Sequence, residues 1–522
     1  MRGGHVKILM TTVSTPQQIE LASPRHEPFQ MLATDSCKDE NVNTSGHANH
    51  RSVDHTPFSG QKRRASVEEE GASRLSAVPD VGLAQLADGI QTALEDRIPD
   101  DEVGRCDSAC LSIIAVRPDE VLDLAHQKLH TWPYRDVPAC WRRLYEDASL
   151  YKATKLIRAY ATNNQATLRI GKRLMLDSSD GGSHLATTGE TDWVSEVVYV
   201  LDMGIALSGA PSRKDLFEAV FQHLGGLVTE SIPAGLPKPL PTPAPKPLET
   251  DRGIPSCSAL SFEAFQRHLD TSTMPLLITG ALHHWPANDL WNQPAYLLRL
   301  TLGGRRLVPV EVGRSYTDEL WGQRIVPFAE FMSKYLVPEN PEKVGYLAQH
   351  DLFSQVPALR EDIRVPDYCY TTPPSSDLPA SRSGFPGVPQ LDEPLLNAWL
   401  GPNGTKSPLH TDPYHNILCQ VVGYKYVRLY APEETPNLYP RGVDDAGVNM
   451  ENTSYVDVAE LRATNLGHSH NGVGTEHKYP LAVKAVYQET ILGPGECLYI
   501  PVGWWHYIES LTVSFSVSFW WN

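Results

Sequence analysis

Apolar positions along the chain follow two rhythms. From about residue 80 to 230 the period is helical. Leu216, Phe217, Val220, Phe221 and Leu224 recur at i, i+1, i+4, i+5 and i+8, which makes one apolar stripe. Ser212 occupies a helix-start position ahead of that stripe, with Asp215 in the first turn. Similar stripes run through Asp119–His130, Ala139–Tyr160 and Trp193–Leu207, so the spacing predicts an all-helical module over residues 81–230. It carries no catalytic constellation. After Pro255 the period shortens to two. Val308, Val310 and Val312 alternate with polar or small partners, as a half-buried strand requires. Near the C-terminus Val513, Phe515, Val517, Phe519 and Trp521 take one face and Ser514, Ser516 and Ser518 the other. Ile417–Val422 and Lys425–Tyr430 flank Gly423-Tyr424 like a hairpin, and Pro494-Gly495 turns the chain between Thr490–Leu492 and Cys497–Ile500. Short strands joined by Gly and Pro turns predict a sandwich or barrel over 255–522. The whole is an α+β multidomain chain.

The two rhythms are separated by a proline-rich stretch. Seven prolines lie between Pro233 and Pro247, which predicts an extended, semi-stiff linker over 231–254. Residues 1–80 hold only two aromatics, Phe29 and Phe58, among many polar residues. Such a segment buries too little apolar area to offset its ordering entropy and is expected to be disordered. Within it, Lys62-Arg63-Arg64-Ala65-Ser66 reads as a solvated charge cluster, with a nuclear address or phosphorylation site as the alternative.

Charge and cysteine content narrow the partners. Lys and Arg number 45 against 62 Asp and Glu, a formal charge of −17. An acidic chain is poorly suited to wrapping nucleic acid and better suited to a basic partner. The 8 Cys are scattered, and Cys106 and Cys110 read as half-buried thiols rather than ligands. Neither an apolar run long enough to span a membrane nor the apolar centre of a signal peptide is present, so an intracellular protein, nuclear or cytoplasmic, is expected.

Chemistry enters at a His-x-Asp pair. On a strand, residues i and i+2 leave the same face, and a third ligand from another strand completes a facial 2-His-1-carboxylate set with adjacent open positions. The dipeptide alone is weak evidence, since a chain this long carries roughly one by chance. His268-Leu269-Asp270 is such a decoy, because Phe262, Phe265 and Leu269 have helical spacing. His410-Thr411-Asp412 instead follows a Gly401-Pro-Asn-Gly404 turn, and downstream Cys497-Leu-Tyr-Ile-Pro501-Val-Gly-Trp-Trp-His506 ends a strand with a turn and a histidine.

Leu396-Asn-Ala-Trp399-Leu-Gly-Pro, Ser407-Pro-Leu-His410-Thr-Asp412, Gly495-Glu-Cys-Leu-Tyr-Ile-Pro501 and Ser514-Phe-Ser-Val-Ser-Phe-Trp-Trp521 together resemble a JmjC-domain oxygenase. The subfamily in view is that of JmjC domain-containing protein five, also called lysine-specific demethylase eight. The likeness covers roughly residues 255–522, with Asp136-Val-Pro-Ala-Cys-Trp-Arg-Arg143 extending it weakly into the helical module. It implies a double-stranded β-helix, the jelly-roll or cupin-like barrel, with Fe(II) on His410, Asp412 and His506. It also implies that Lys425 pairs with the far carboxylate of 2-oxoglutarate, helped by Tyr346, Ser407 and Asn416, with O2 as the second co-substrate. Glu311, Tyr316, Trp321, Gln349 and Trp399 fall where that subfamily surrounds a substrate arginine. A carboxylate fork and aromatic faces suit a guanidinium. Two inserts depart from the pattern, Pro373–Pro389 and Ala463–Tyr479, the second carrying His468, His470 and His477 in what reads as a solvated loop.

The resemblance implies oxidative decarboxylation of 2-oxoglutarate coupled to hydroxylation of an arginyl residue in a protein or peptide. Methyl-lysine demethylation by the same step is the alternative. A zinc cupin hydrolase and a catalytically silent interaction module are the remaining readings, the first because two histidines and a carboxylate also suit Zn2+.

Overall fold

The computed structural model describes residues 82–522 except 97, 133–135, 178–191, 228–234, 273, 314–320, 340, 374–387, 444–448 and 466–474, together with two short strands, Lys7–Ile8 and Ile19–Ala22. Those strands are an addition to the disordered tail expected over 1–80. Ile19–Ala22 pairs antiparallel with Gly322–Pro327, and the rest of the tail, the basic cluster included, lies outside the described residues.

Among the described residues six α-helices precede the proline-rich stretch: α1 (Leu83–Glu95), α2 (Ser108–Ile113), α3 (Pro118–Leu129), α4 (Ala139–Asp177), α5 (Trp193–Ser208) and α6 (Lys214–Leu227). The apolar stripe does what its spacing predicts: Phe217, Val220, Phe221 and Leu224 bury against Leu150, Ile157, Val197 and Leu201. Ser212 does not start α6 by its side chain. The backbone N–H groups of Ser212 and Arg213 donate to Oε1 of Glu146, 3.2 and 2.5 Å away on α4. A buried carboxylate from a neighbouring helix thus meets the helix's orphan donors. Gly209 closes α5 at φ +79°, where any side chain would be strained.

Within the proline-rich stretch one described residue is tied down. Leu240 is 1 % exposed and sits in the barrel-side core, with its N–H on the Asn292 carbonyl at 2.8 Å.

Eight strands form the barrel: β1 (Leu395–Gly401), β2 (Lys406–His410), β3 (His415–Val422), β4 (Lys425–Tyr430), β5 (Tyr487–Leu492), β6 (Cys497–Ile500), β7 (Trp505–Ser510) and β8 (Ser514–Trp521). They pair antiparallel in two sheets of order β1-β8-β3-β6 and β5-β4-β7-β2. Every connection but β4 to β5 therefore switches sheets, which is the double-stranded β-helix. The first sheet continues past β1 through Gly345–His350, Leu307–Val312 and Gly322–Pro327, and past β6 through Leu276–Thr279 and Ser256–Ser258.

Two sequence expectations change here. Ile417–Val422 and Lys425–Tyr430 are not a hairpin; Gly423 carries the chain from one sheet to the other. It does so at φ +73°, with the Val513 carbonyl oxygen 1.8 Å from where a Cβ would stand, so only glycine fits. Pro494-Gly495 is a second crossover of the same kind, since β5 and β6 lie in different sheets. A two-residue turn looks alike in sequence whether its strands pair or part.

The serine face of β8 is buried as well. All eight residues of β8 are buried. Ser516 donates to Gln420 Oε1 at 2.6 Å, and Gln420 Nε2 donates to Ser514 Oγ at 2.9 Å, so the polar side points into the barrel and is satisfied there.

Candidate active site

The first ligand candidate ends β2 and the third lies at the start of β7, and these neighbouring strands place His410 directly across from His506. Asp412 lies just past the end of β2 rather than on it. The segment is pinned there by Thr411 N–H on the Asn452 carbonyl, 2.9 Å, and by Gly503 N–H on the Asp412 carbonyl, 3.3 Å. The three side chains offer ligand atoms all within 4.8 Å of one another. His410 Nε2 is 3.7 Å and His506 Nε2 3.4 Å from the Asp412 carboxylate.

The tautomers are fixed from behind. His410 Nδ1 sits 2.7 Å from the Pro408 carbonyl and His506 Nδ1 3.0 Å from that of Trp504. A carbonyl only accepts, so Nδ1 carries the proton in both rings and each Nε2 lone pair faces the shared centre. Burial and the neighbouring His506 push the His410 imidazole down to about 4, which keeps it neutral. Burial alone would raise the Asp412 carboxyl, but its two imidazole neighbours, His506 foremost, outweigh it and hold the group below its ordinary value. Two imidazoles and one carboxylate, converging from one side, fit a divalent first-row metal.

Beside this group a cavity of about 320 Å³, its open mouth included, is walled by Tyr346, Trp399, Ser407, Asn416, Leu418, Lys425, Ile508 and Ser518. Lys425 is no exposed turn residue. It is 2 % exposed, and its Nζ donates to the Tyr346 hydroxyl at 3.2 Å. Among the described residues no carboxylate stands within ion-pair distance of it. Burial pushes its ammonium down to about 7. Ser407 and Asn416 are buried in the same wall, and Asn416 Oδ1 has no protein partner.

The remaining candidates divide. Trp399 lines the cavity, its ring 6.0 Å from that of Tyr346 and its Nε1 on Ser518 Oγ at 2.9 Å. Glu311 lies one strand further out, directly across from Tyr346 in register. Its carboxylate accepts from Trp321 Nε1 at 3.3 Å, and burial lifts its carboxyl to about 7 against the opposing effect of that bond. Gln349 ends a strand segment at φ +46°, beside a register irregularity between Leu347 and His350. Glu311, Trp321 and Gln349 are not in the cavity wall itself, and Tyr316 lies outside the described residues. Sequence reasoning missed Ser518, which its alternation placed on the serine face of β8 without a role in the site. The signal was that β8 is the last of a run of strands already apolar on their other face.

The decoy behaves as one. His268 lies on the helix Phe262–Thr271 and bonds the Met274 carbonyl at 2.9 Å, away from any carboxylate set. In the second insert His477 is exposed on a short helix, Thr475–Lys478, while His468 and His470 lie outside the described residues. Cys106 and Cys110 are free and buried. No helix among the described residues is long and apolar enough to cross a membrane.

Residues 262–522 match the family described as cupin-like domain. Over 491 residues the chain is 33 % identical to the Xenopus tropicalis protein named lysine-specific demethylase 8, covering 88 % of this chain and 99 % of that one. It is 34 % identical over 409 residues to the Drosophila melanogaster protein named Jumonji C domain-containing protein 5, covering 77 % and 85 %. It is 33 % identical over 448 residues to an Arabidopsis thaliana protein also named a lysine-specific demethylase, covering 79 % and 89 %. With this barrel, this ligand set and relatives along most of its length, the chain belongs to the JmjC-domain family of cupin-like dioxygenases.

Proposed function

We propose that this dioxygenase uses Fe(II) and 2-oxoglutarate to hydroxylate an arginyl residue of a protein or peptide. Lys425 carries the co-substrate half of the reading. A buried ammonium with no carboxylate of its own, on the strand next to that of His506, suits the far carboxylate of a dicarboxylic acid, with Tyr346, Ser407 and Asn416 completing its hydrogen bonds. A zinc hydrolase has no use for that clamp. His410, Asp412 and His506 would hold the iron, which with 2-oxoglutarate and O2 supplies the oxidising power to insert oxygen into a C–H bond.

The substrate half rests on Glu311. With Trp321 bonded to it and Trp399 on the cavity side, the wall is aromatic and anionic. A guanidinium can fork onto a carboxylate and stack on rings at once, whereas a trimethylated ammonium has no proton to donate. The second reading, methyl-lysine demethylation, is favoured by the names of two relatives. The proposal further takes residues 81–230 as a separate module, 255–522 as the catalytic one, and the site of action as nuclear or cytoplasmic.

The test is direct. Purified protein with Fe(II), ascorbate, O2 and 2-oxoglutarate should release succinate, and should add one oxygen atom to an arginine peptide faster than it demethylates methyl-lysine peptides. Demethylation with no oxygen gained on arginine would place the second reading first.

A further inference from the structure

We infer that Asp202 and Gln355 are positioning residues through which the helical module sets the substrate wall of the barrel. This rests on the proposed role of Glu311 and Gln349.

Asp202 lies on α5 and Arg306 precedes the strand Leu307–Val312; both are 3 % exposed. Arg306 Nε lies 3.0 Å from each Asp202 oxygen and Nη2 2.8 Å from Oδ1, while Phe221 of α6 stacks 3.6 Å from the guanidinium. An ion pair alone would need no more than this. Yet Asp202 Oδ2 also accepts the Leu307 N–H at 2.7 Å, at the root of the strand that bears Glu311. Gln355 adds the second link. Its Nε2 donates to Asp202 Oδ1 at 3.2 Å and to the Leu307 carbonyl at 2.6 Å. Both its N–H donors are then used, so Oε1 faces His350 Nε2 at 2.6 Å, and that nitrogen must be the donor.

His350 ends the strand that carries Tyr346 and Gln349. Gln349 holds φ +46°, a conformation a non-glycine residue keeps only where its surroundings hold it. One carboxylate of the helical module thus anchors two neighbouring strands, Leu307–Val312 and Gly345–His350, which meet in register at Glu311 and Tyr346. Helix and wall are joined by polar contacts with defined directions, not by apolar packing alone.

Gln355→Leu keeps the volume and the Asp202–Arg306 pair but releases His350. In the full-length protein, KM for an arginine peptide should rise about tenfold, since small misplacement far from the chemistry is costly. KM for 2-oxoglutarate should stay within about twofold. Amide exchange over Gly345–His350 should quicken, and the melting temperature should fall, because the Leu307 carbonyl and His350 Nε2 lose their partner. Asp192→Ala is the control. It removes the 2.8 Å partner of Arg305 at the same interface and the side-chain cap of α5, without touching Asp202 or Gln355 directly, and should cost stability with both KM values unchanged. If Gln355→Leu behaves like that control, with exchange and peptide KM at wild-type values, the inference is overturned. If the wild type fails to oxidise the arginine peptide, the proposed substrate is wrong, while the exchange measurement, which needs no substrate, still decides this one.

Discussion

Lys425 and Glu311 are mirror images on either side of Tyr346. One is an ammonium bonded to the tyrosine hydroxyl, the other a carboxylate across from the same residue in register. Among the described residues neither has a counter-ion, and burial drives each toward its neutral form, both to about 7. Other buried charges are paired, as with Arg306 and Asp202 or Arg428 and Glu489, or, like Asp362, held by neutral donors, here Trp291 and Tyr296. A lone buried charge is costly unless a partner of opposite sign arrives from outside. Under the proposed function these two, opposite in sign and both beside Tyr346, are the poles that would take an anion and a cation.

The largest effect removes the chemistry that both poles serve. His410→Ala should abolish 2-oxoglutarate turnover, with and without peptide, in protein that still melts cooperatively, while His268→Ala should be nearly silent. Equal losses in the two variants would sink the ligand set. Next comes the cationic pole. Lys425→Ala leaves the incoming carboxylate unpaired in a dry wall, at ~3–5 kcal/mol, so a 2-oxoglutarate titration should weaken by at least ~100-fold. Metal content should be retained. The anionic pole should respond in the other titration only. Glu311→Ala should cost roughly 2 kcal/mol or more in kcat/KM for an arginine peptide, with uncoupled 2-oxoglutarate decay near wild type. An unchanged peptide rate would leave the two poles unequal and return methyl-lysine to first place.

The poles also differ in how far the sequence reveals them. Helices read well because an apolar stripe such as Phe217, Val220 and Leu224 is a local signal. The histidines His410 and His506 were legible as strand-end residues near turns, though not that they face each other across neighbouring strands. Strand partnership was not legible where Gly423 and Gly495 send the chain to the opposite sheet, because pairing is a tertiary choice. For the same reason no local pattern marks Lys425, beside the Gly423-Tyr424 turn, or Ser518 as lining a site. Only closure of the barrel puts both inside. The Asp202 anchor was invisible, since it joins residues over a hundred positions apart and no local pattern marks either end.

The smallest effect tests the mirror relation itself, through pH. The dicarboxylate needs Lys425 charged. Below pH about 7 the buried amine already holds its proton. Above that, binding must draw a proton from solvent, so affinity for 2-oxoglutarate should fall by up to ~10-fold per pH unit as pH rises. Arginine needs Glu311 ionised. Above pH about 7 the carboxyl has already lost its proton. Below that, binding must expel one, so kcat/KM for the arginine peptide should fall by up to ~10-fold per unit as pH drops. The two limbs therefore slope in opposite directions across the same window, and each ligand should restore its pole to the charged form on arrival. Co-substrate binding by titration and peptide kinetics at saturating 2-oxoglutarate separate them. Glu311→Gln, neutral at every pH, should flatten the peptide limb and leave the co-substrate limb as it was. Limbs that slope the same way would point to one group common to both measurements, and Lys425 and Glu311 would then not be the two poles of the site.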